Sequence, residues 1–224
     1  MNEIGWPTID SKHIIVDSKQ MSILEKEMFS DGMPQEALME KAGIQISRWL
    51  LKRKALLKHG ITVLIGPGHN GGDGAVVARE LFLKGHLVKV WCPFPIKKTL
   101  TNNHLNYLTS IGVTKLVEPP DAIGKELWID AVFGNNQTRK VDNQLVELFN
   151  KKFHSRCGKV VSIDVPTGLC PNSGDPIGDK AVKADFTLAI GLNKIGLTQD
   201  SALNFVGELH HIDVGVPINK LSKV

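Results

Sequence analysis

A chain of 224 residues with 42% hydrophobic content has room for one large domain or two small ones, with a sizeable core. Its 27 basic and 23 acidic residues are scattered, so the formal charge of +4 suits anionic small molecules without asking for nucleic acid. No apolar run approaches the roughly 20 residues that span a bilayer, the early residues carry charges throughout, and Cys92, Cys157 and Cys170 have no metal-ligand spacing; the expectation is a cytoplasmic protein with reduced cysteines and no membrane partner.

Residues 1–17 show no periodicity and read as a lead-in. Ser18 or Ser22 can cap a first helix, on which Met21, Leu24, Met28 and Phe29 recur at helical spacing before Gly32 and Pro34 end it. A second helix is predicted over Gln35 to Lys58, with Leu38, Met39, Ala42, Ile46, Trp49 and Leu50 as a core-facing stripe. Ile61 to Ile65 is an apolar strand. It runs into a loop carrying Gly66, Gly68, Gly71, Gly72 and Gly74, and a helix from Ala75 to about Lys84 follows. Strands are then expected at His86 to Trp91, Lys115 to Leu116, Leu127 to Phe133, Lys159 to Val165, Phe186 to Ile190 and Glu208 to Asp213. Helices are expected at Thr99 to Ile111 and Val141 to Lys152. This alternation predicts a single α/β domain over residues 1–224: a Rossmann-like three-layer sandwich with a mainly parallel central sheet and helices on both faces.

In such a sheet ligands sit beyond the carboxyl ends of the strands. Three places there carry chemistry. The glycine loop holds His69, Asn70 and Asp73, and its backbone amides at a helix start suit a phosphate. Asp130 to Gly134 is followed by the polar tail Asn135, Asn136, Gln137, Thr138, Arg139 and Lys140. Asp164-Val-Pro-Thr-Gly168 is the third. Gly66, Gly68 and Gly71 satisfy G-x-G-x-x-G, but the next strand ends in Cys92-Pro93 rather than the acid that holds a ribose hydroxyl, which disfavours an ordinary nicotinamide oxidoreductase. Asp130 and Asp164 either cap local turns or converge; if Asn70, Asp130 and Thr167 face one another, they offer oxygen ligands for a hard cation. Asp164 is then an acid/base candidate. His69 is a ligand donor or a solvent-facing loop residue, Lys194 a phosphate partner or a surface lysine, and His210 and His211 are structural.

Taken together, these stretches resemble the YjeF N-terminal domain family, the NAD(P)H-hydrate epimerases, from about Gln20 to Pro217. The resemblance rests on Gly32-Met-Pro, Leu38-Met-Glu-Lys-Ala-Gly43, Gly66-Pro-Gly-His-Asn-Gly-Gly-Asp-Gly74, Asp130-Ala-Val-Phe-Gly134, Asp164-Val-Pro-Thr-Gly168, Gly191 to Leu197 and Asp213-Val-Gly-Val-Pro217. It implies interconversion of the R and S forms of hydrated NADH and NADPH, a cofactor-repair isomerisation, in a homodimer. It also implies a potassium ion on Asn70, Asp130 and Thr167. The damaged nucleotide would lie on His69, Asn70, Gly71, Gly72 and Asp73, on Gly134 to Lys140 and on Asp164, the catalytic residue. The family usually has asparagine where His69 stands and serine where Thr167 stands, and its loop after the acidic strand usually contains glycine, which Asn135 to Lys140 lacks. Many relatives continue, beyond a point equivalent to Val216-Pro217, into a kinase-like domain that dehydrates the S epimer with ADP or ATP. The expectation is a free-standing epimerase or one domain of a bifunctional chain. The alternative is a non-catalytic nucleotide- or protein-binding module on the same fold.

Overall fold

The computed structural model describes residues 11–223, so most of the lead-in lies outside the described residues. Its first elements are a 3-10 turn at Ser11–His13 and the two-residue strand β1 (Ile15–Val16). Helix α1 (Ser18–Ser30) is capped by Asp17, not by Ser18 or Ser22. The Asp17 carboxylate accepts from the Gln20 amide at 2.7 Å while the Gln20 side chain accepts from the Asp17 amide at 3.0 Å, a reciprocal capping box.

The predicted second helix divides into α2 (Gln35–Leu51) and α3 (Lys54–Leu57). The break falls at Arg53, whose backbone leaves the helical region while its guanidinium stacks 3.6 Å from the centre of the Trp49 ring. A large cation on an aromatic face stabilises the turn that the backbone makes there.

Seven parallel strands form the central sheet: β2 (Ile61–Ile65), β3 (Val88–Trp91), β4 (Thr114–Leu116), β5 (Leu127–Ala131), β6 (Val160–Ile163), β7 (Phe186–Ile190) and β9 (Glu208–Ile212), in the order β4-β3-β2-β5-β6-β7-β9. The two-residue strand β8 (Asn193–Lys194) lies outside it and pairs with β1, Ile15 opposite Asn193 and Val16 opposite Lys194. All five residues of β2 and of β5 are buried, as expected for strands covered on both faces. Alternate residues feed two cores. Ile61, Val63 and Ile65 face the core shared with α1, α2, α4 (His69–Leu83) and α5 (Thr99–Ser110); Leu64 and Trp128 face the core built on α6 (Asn143–Ser155). The expected parallel α/β sandwich with helices on both faces is the observed fold.

One correction changes how the glycine stretch is understood. It is not a loop leading to a helix at Ala75: α4 begins at His69, capped by Gly68, so residues 69–74 are its first turns. The glycines there serve close packing. A methyl group on Gly74 would lie 2.4 Å from Ala131 Cβ, and one on Gly71 would lie 2.1 Å from the Gly66 carbonyl, so only glycine lets α4 settle onto β2 and β5. The consequence is positional. The strand order reverses between β2 and β5, and the amino end of α4 stands over that reversal, where a doubly wound sheet opens its ligand crevice.

Candidate functional site

A cavity of about 570 Å³ opens at this crevice. Its floor is the carboxyl ends of the central strands, one wall is the start of α4, and α1 and α2 contribute the facing side with Glu25, Phe29, Leu38 and Met39. The α2 stripe, expected to be core, therefore has two duties: Ile46 and Leu50 are fully buried, while Leu38, Met39 and Ala42 also face the cavity.

Asp130, in β5, lies beneath the cavity and is fully buried. Its carboxylate accepts from Thr167 Oγ1 at 2.7 Å, the Thr167 amide at 2.9 Å, Ser162 Oγ at 3.0 Å and the Val132 amide at 3.2 Å. Desolvation nevertheless pushes its pKa above the ordinary value, because even these donors do not replace bulk water around a buried charge. Thr167 Oγ1 also accepts from the Phe133 amide at 3.1 Å, which ties the loop after β5 to the loop after β6. Asp130 and Thr167 thus meet directly. Asn70 stands nearer the cavity: a methyl on Gly134 would lie 3.1 Å from Asn70 Oδ1 and 2.7 Å from Asp164 Oδ2. Both polar atoms of the Asn70 side chain are buried without a hydrogen-bond partner among the described residues. Such an amide is costly to leave unpaired, and it marks a position that a ligand completes.

Asp164 follows β6 with φ 67°, in the left-handed region that an aspartate enters only when its surroundings hold it there. They hold it firmly. Oδ2 accepts from the Asn135 amide at 2.7 Å, and Oδ1 accepts from Lys194 Nζ at 2.5 Å and from the Ile190 amide at 3.4 Å. Lys194 is no surface lysine. Its side chain is 1% exposed, and Nζ also donates to the Ile190 carbonyl at 2.6 Å.

The remaining predicted residues divide. His69, Asn70, Asp73, Gly134, Asn135, Asn136, Gln137 and Asp164 line the cavity, whereas Gly71 and Gly72 are buried behind the wall they help to form. Gln137 is a staple between loops: its amide donates to the Pro166 carbonyl at 3.1 Å and accepts from the Gly168 amide at 2.6 Å. Thr138, Arg139 and Lys140 are exposed and do not line the cavity, and Lys140 pairs with Asp179 at 2.6 Å. The cations at the cavity are instead Lys97 and Lys98, whose amides donate to the Pro67 carbonyl and fasten the loop after β3 to the start of α4. His69 Nδ1 lies 3.2 Å from Gln35 Nε2; desolvation first, and the charge of Lys98 second, lower its pKa.

Sequence reasoning missed Glu25. It lies on α1 between buried Leu24 and buried Met28, on the face turned inward, and a lone acid in that stripe was the available signal. Burial raises its pKa, against Lys194, which lowers it, and with Asp164, which raises it. Asp73 is raised well above the ordinary range, first by desolvation and then by Asp164 and Glu25. The charges of the cavity therefore fall into two groups: Lys98, with Lys97 beside it, near His69 at the amino end of α4, and three carboxyl groups around Lys194.

Comparison with known proteins shows the family and the fold. The family model described as YjeF-related protein N-terminus matches residues 35–196. The bifunctional NAD(P)H-hydrate repair enzyme Nnr of Synechocystis sp. is 39% identical over 94% of this chain and 40% of its own, and that of Gloeobacter violaceus is 38% identical over 90% and 40%. The chain thus spans about two fifths of the length of these relatives, 40% in each case. The NAD(P)H-hydrate epimerase of Oenococcus oeni is 30% identical over 91% of this chain and 97% of its own. The crystal structure of the yeast protein ynu0 carries the same fold, with a TM-score of 0.75 over 88% of this chain and 87% of that one at 24% identity. The matched residues run from the helix that faces the cavity to the lysine that holds Asp164 and two residues beyond it, and the chain belongs to the family of YjeF-related protein N-termini.

Proposed function

We propose that this chain is an NAD(P)H-hydrate epimerase, interconverting the R and S forms of hydrated NADH and NADPH. The observation that carries the reading is Asp164: a carboxylate in a strained backbone conformation, held by Lys194 and two amides, at the edge of a cavity sized for part of a nucleotide. The relative named as an epimerase along nearly its whole length, 97% of which aligns, favours catalysis over a silent binding module.

The damaged ring carries a hydroxyl on the carbon next to its nitrogen. Epimerisation needs that hydroxyl to leave and return on the other face, or the ring to open and close; either route requires a group that gives and takes a proton at oxygen. Asp164 is positioned for it. The phosphates are placed at the amino end of α4 with His69, Lys97 and Lys98, where unsatisfied amides and positive charge favour an anion. This orientation sends the ring toward the carboxyl group cluster.

A potassium ion on Asn70, Asp130 and Thr167 fits the donor set: the unpartnered buried amide of Asn70 and the fully buried Asp130 carboxylate are oxygen donors suited to a hard cation. When bound, the ion supplies the positive charge that a buried carboxylate lacks. A dehydratase acting on the S epimer, on the same chain or another, would consume the product. The test is to add the purified chain to equilibrated epimers while an S-specific dehydratase consumes one form. Wild type should accelerate consumption of the R form, and Asp164→Asn should lose about 10²–10⁴-fold of that rate with its circular dichroism unchanged. Near-normal turnover in Asp164→Asn would remove Asp164 from the chemistry.

A further inference from the structure

The proposed reaction has two stereochemical faces, and a single carboxylate serves one of them naturally. We propose that Glu25 is a second catalytic residue, presented by α1 to the reacting ring from a different wall than Asp164, and that the two carboxyl groups exchange protons with the leaving and entering hydroxyl. The inference rests on the epimerase reading. It is carried by geometry. Glu25 and Asp164 line one cavity, yet their settings differ: Asp164 has three donors including Lys194, whereas Glu25 has no hydrogen-bond or ion-pair partner among the described residues. An acid that ends in a cavity without a structural bond has no evident architectural purpose.

α1 is fixed across the cavity by bonds to its first turns rather than by Glu25. The Ser18 amide donates to Asn172 Oδ1 at 2.8 Å, the Ser18 carbonyl accepts from Asn135 Nδ2 at 3.1 Å, and Ser22 Oγ donates to Asn136 Oδ1 at 2.9 Å. These contacts leave the Glu25 side chain free to meet a ligand. The titratable groups facing it are Lys194 from β8, Asp164 from the loop after β6 and Asp73 from α4. Burial favours the protonated form of Glu25, whereas both Asp164 oxygens already accept, from Lys194 Nζ and two backbone amides, so the pair is divided into a donor and an acceptor.

The transfers balance as follows. Protonated Glu25 gives its proton to the ring hydroxyl; the carbon–oxygen bond breaks with its electron pair leaving on oxygen as water, and the nitrogen lone pair forms a carbon–nitrogen double bond. Water then adds to the other face, its oxygen supplying the pair of the new bond, while the double-bond pair returns to nitrogen and the Asp164 carboxylate takes the released proton. Substrate composition is unchanged. One proton has moved from Glu25 to Asp164, and it returns through water in the open cavity or when the opposite epimer reacts by the same steps in reverse.

The experiment compares wild type, Glu25→Gln and Glu25→Asp in the coupled epimer assay across pH. Expected are a fall in kcat of at least about 100-fold in Glu25→Gln with KM changed less than about threefold, and partial recovery in Glu25→Asp. The wild-type rate should fall on the alkaline side as Glu25 loses its proton, and the residual rate of Glu25→Gln should lack that limb. A second readout is independent of turnover. Because the folded-state pKa of Glu25 is raised, the folded chain holds its proton at pH values where the unfolded chain has lost it. Wild-type stability therefore falls, relative to Glu25→Gln, as pH rises from the ordinary carboxylate range through the raised value. Urea midpoints of the two proteins should diverge in that direction. If wild type epimerises and Glu25→Gln matches it within about threefold, the proposal is overturned and the epimerase reading stands. If wild type has no activity, both fall. Parallel urea midpoints across the pH range would also overturn the division into donor and acceptor.

Discussion

Replacing Lys194 by methionine tests the buried pair on which the site depends. The side chain keeps its approximate length and apolar stem but loses the ammonium that stands 2.5 Å from Asp164 Oδ1 and 2.6 Å from the Ile190 carbonyl. Removing one partner of a buried pair leaves the other charge uncompensated and costs about 3–5 kcal/mol. The lower end applies here, about 3 kcal/mol, because Asp164 keeps the Asn135 amide and lines the open cavity. For a chain of this size that corresponds to a fall of about 6–12 °C in Tm. Urea unfolding of Lys194→Met, Asp164→Asn and the double variant gives the coupling. Once Asp164 is neutral the lone charge is gone, so the double variant should recover about 1–3 kcal/mol relative to the sum of the single losses. A loss below about 1 kcal/mol in Lys194→Met, or strict additivity, would refute the claim that this pair is buried and mutually dependent.

Two further outcomes follow from the loops beside it. Potassium should raise the Tm of wild type relative to tetramethylammonium at equal ionic strength, by the equivalent of about 2.7 kcal/mol at a hundredfold excess over Kd, and Asn70→Ala should abolish the difference; an equal shift in both proteins would dismiss the ion site. Gly134→Ala places a methyl 2.7 Å from Asp164 Oδ2 and 3.1 Å from Asn70 Oδ1, so it should cost about 1–3 kcal/mol in urea unfolding and lower the epimerisation rate more than that loss of stability explains. Full activity in a stable Gly134→Ala protein would contradict the close approach of these three residues.

The sheet was legible because strands covered on both faces are predominantly apolar, and Ile61 to Ile65 and Phe186 to Ile190, each interrupted by a single threonine, announce themselves with their observed bounds. The strand-end acids were legible for a topological reason: Asp130 and Asp164 end consecutive parallel strands, and such ends converge on the crevice. Helix α4 was misplaced at its start because glycine disfavours a helix on its own. What makes residues 69–74 helical is close contact with Met39 and Ala131, which no local pattern contains. Lys194 was misjudged for a similar reason, since its partner is 30 residues away and nothing nearby marks it as buried. Glu25 was hidden by its neighbours, because charged residues are ordinary on an amphipathic helix and the inward tilt of this one depends on how α1 crosses the cavity.

The pairing of β1 with β8 joins residues 15 and 16 to residues 193 and 194. Closing a loop of that length carries an entropic cost that is met only when the distant strand exists, so this contact belongs to the late part of folding. On a ribosome, β2 to β6 can be made and paired while the strand bearing Lys194 is still unsynthesised. The segment leading into α1 has no β-partner until then. The wall that carries Glu25 and the lysine that secures Asp164 are therefore docked by the same late event, so a nascent chain can pair β2 to β6 before it acquires a competent pocket.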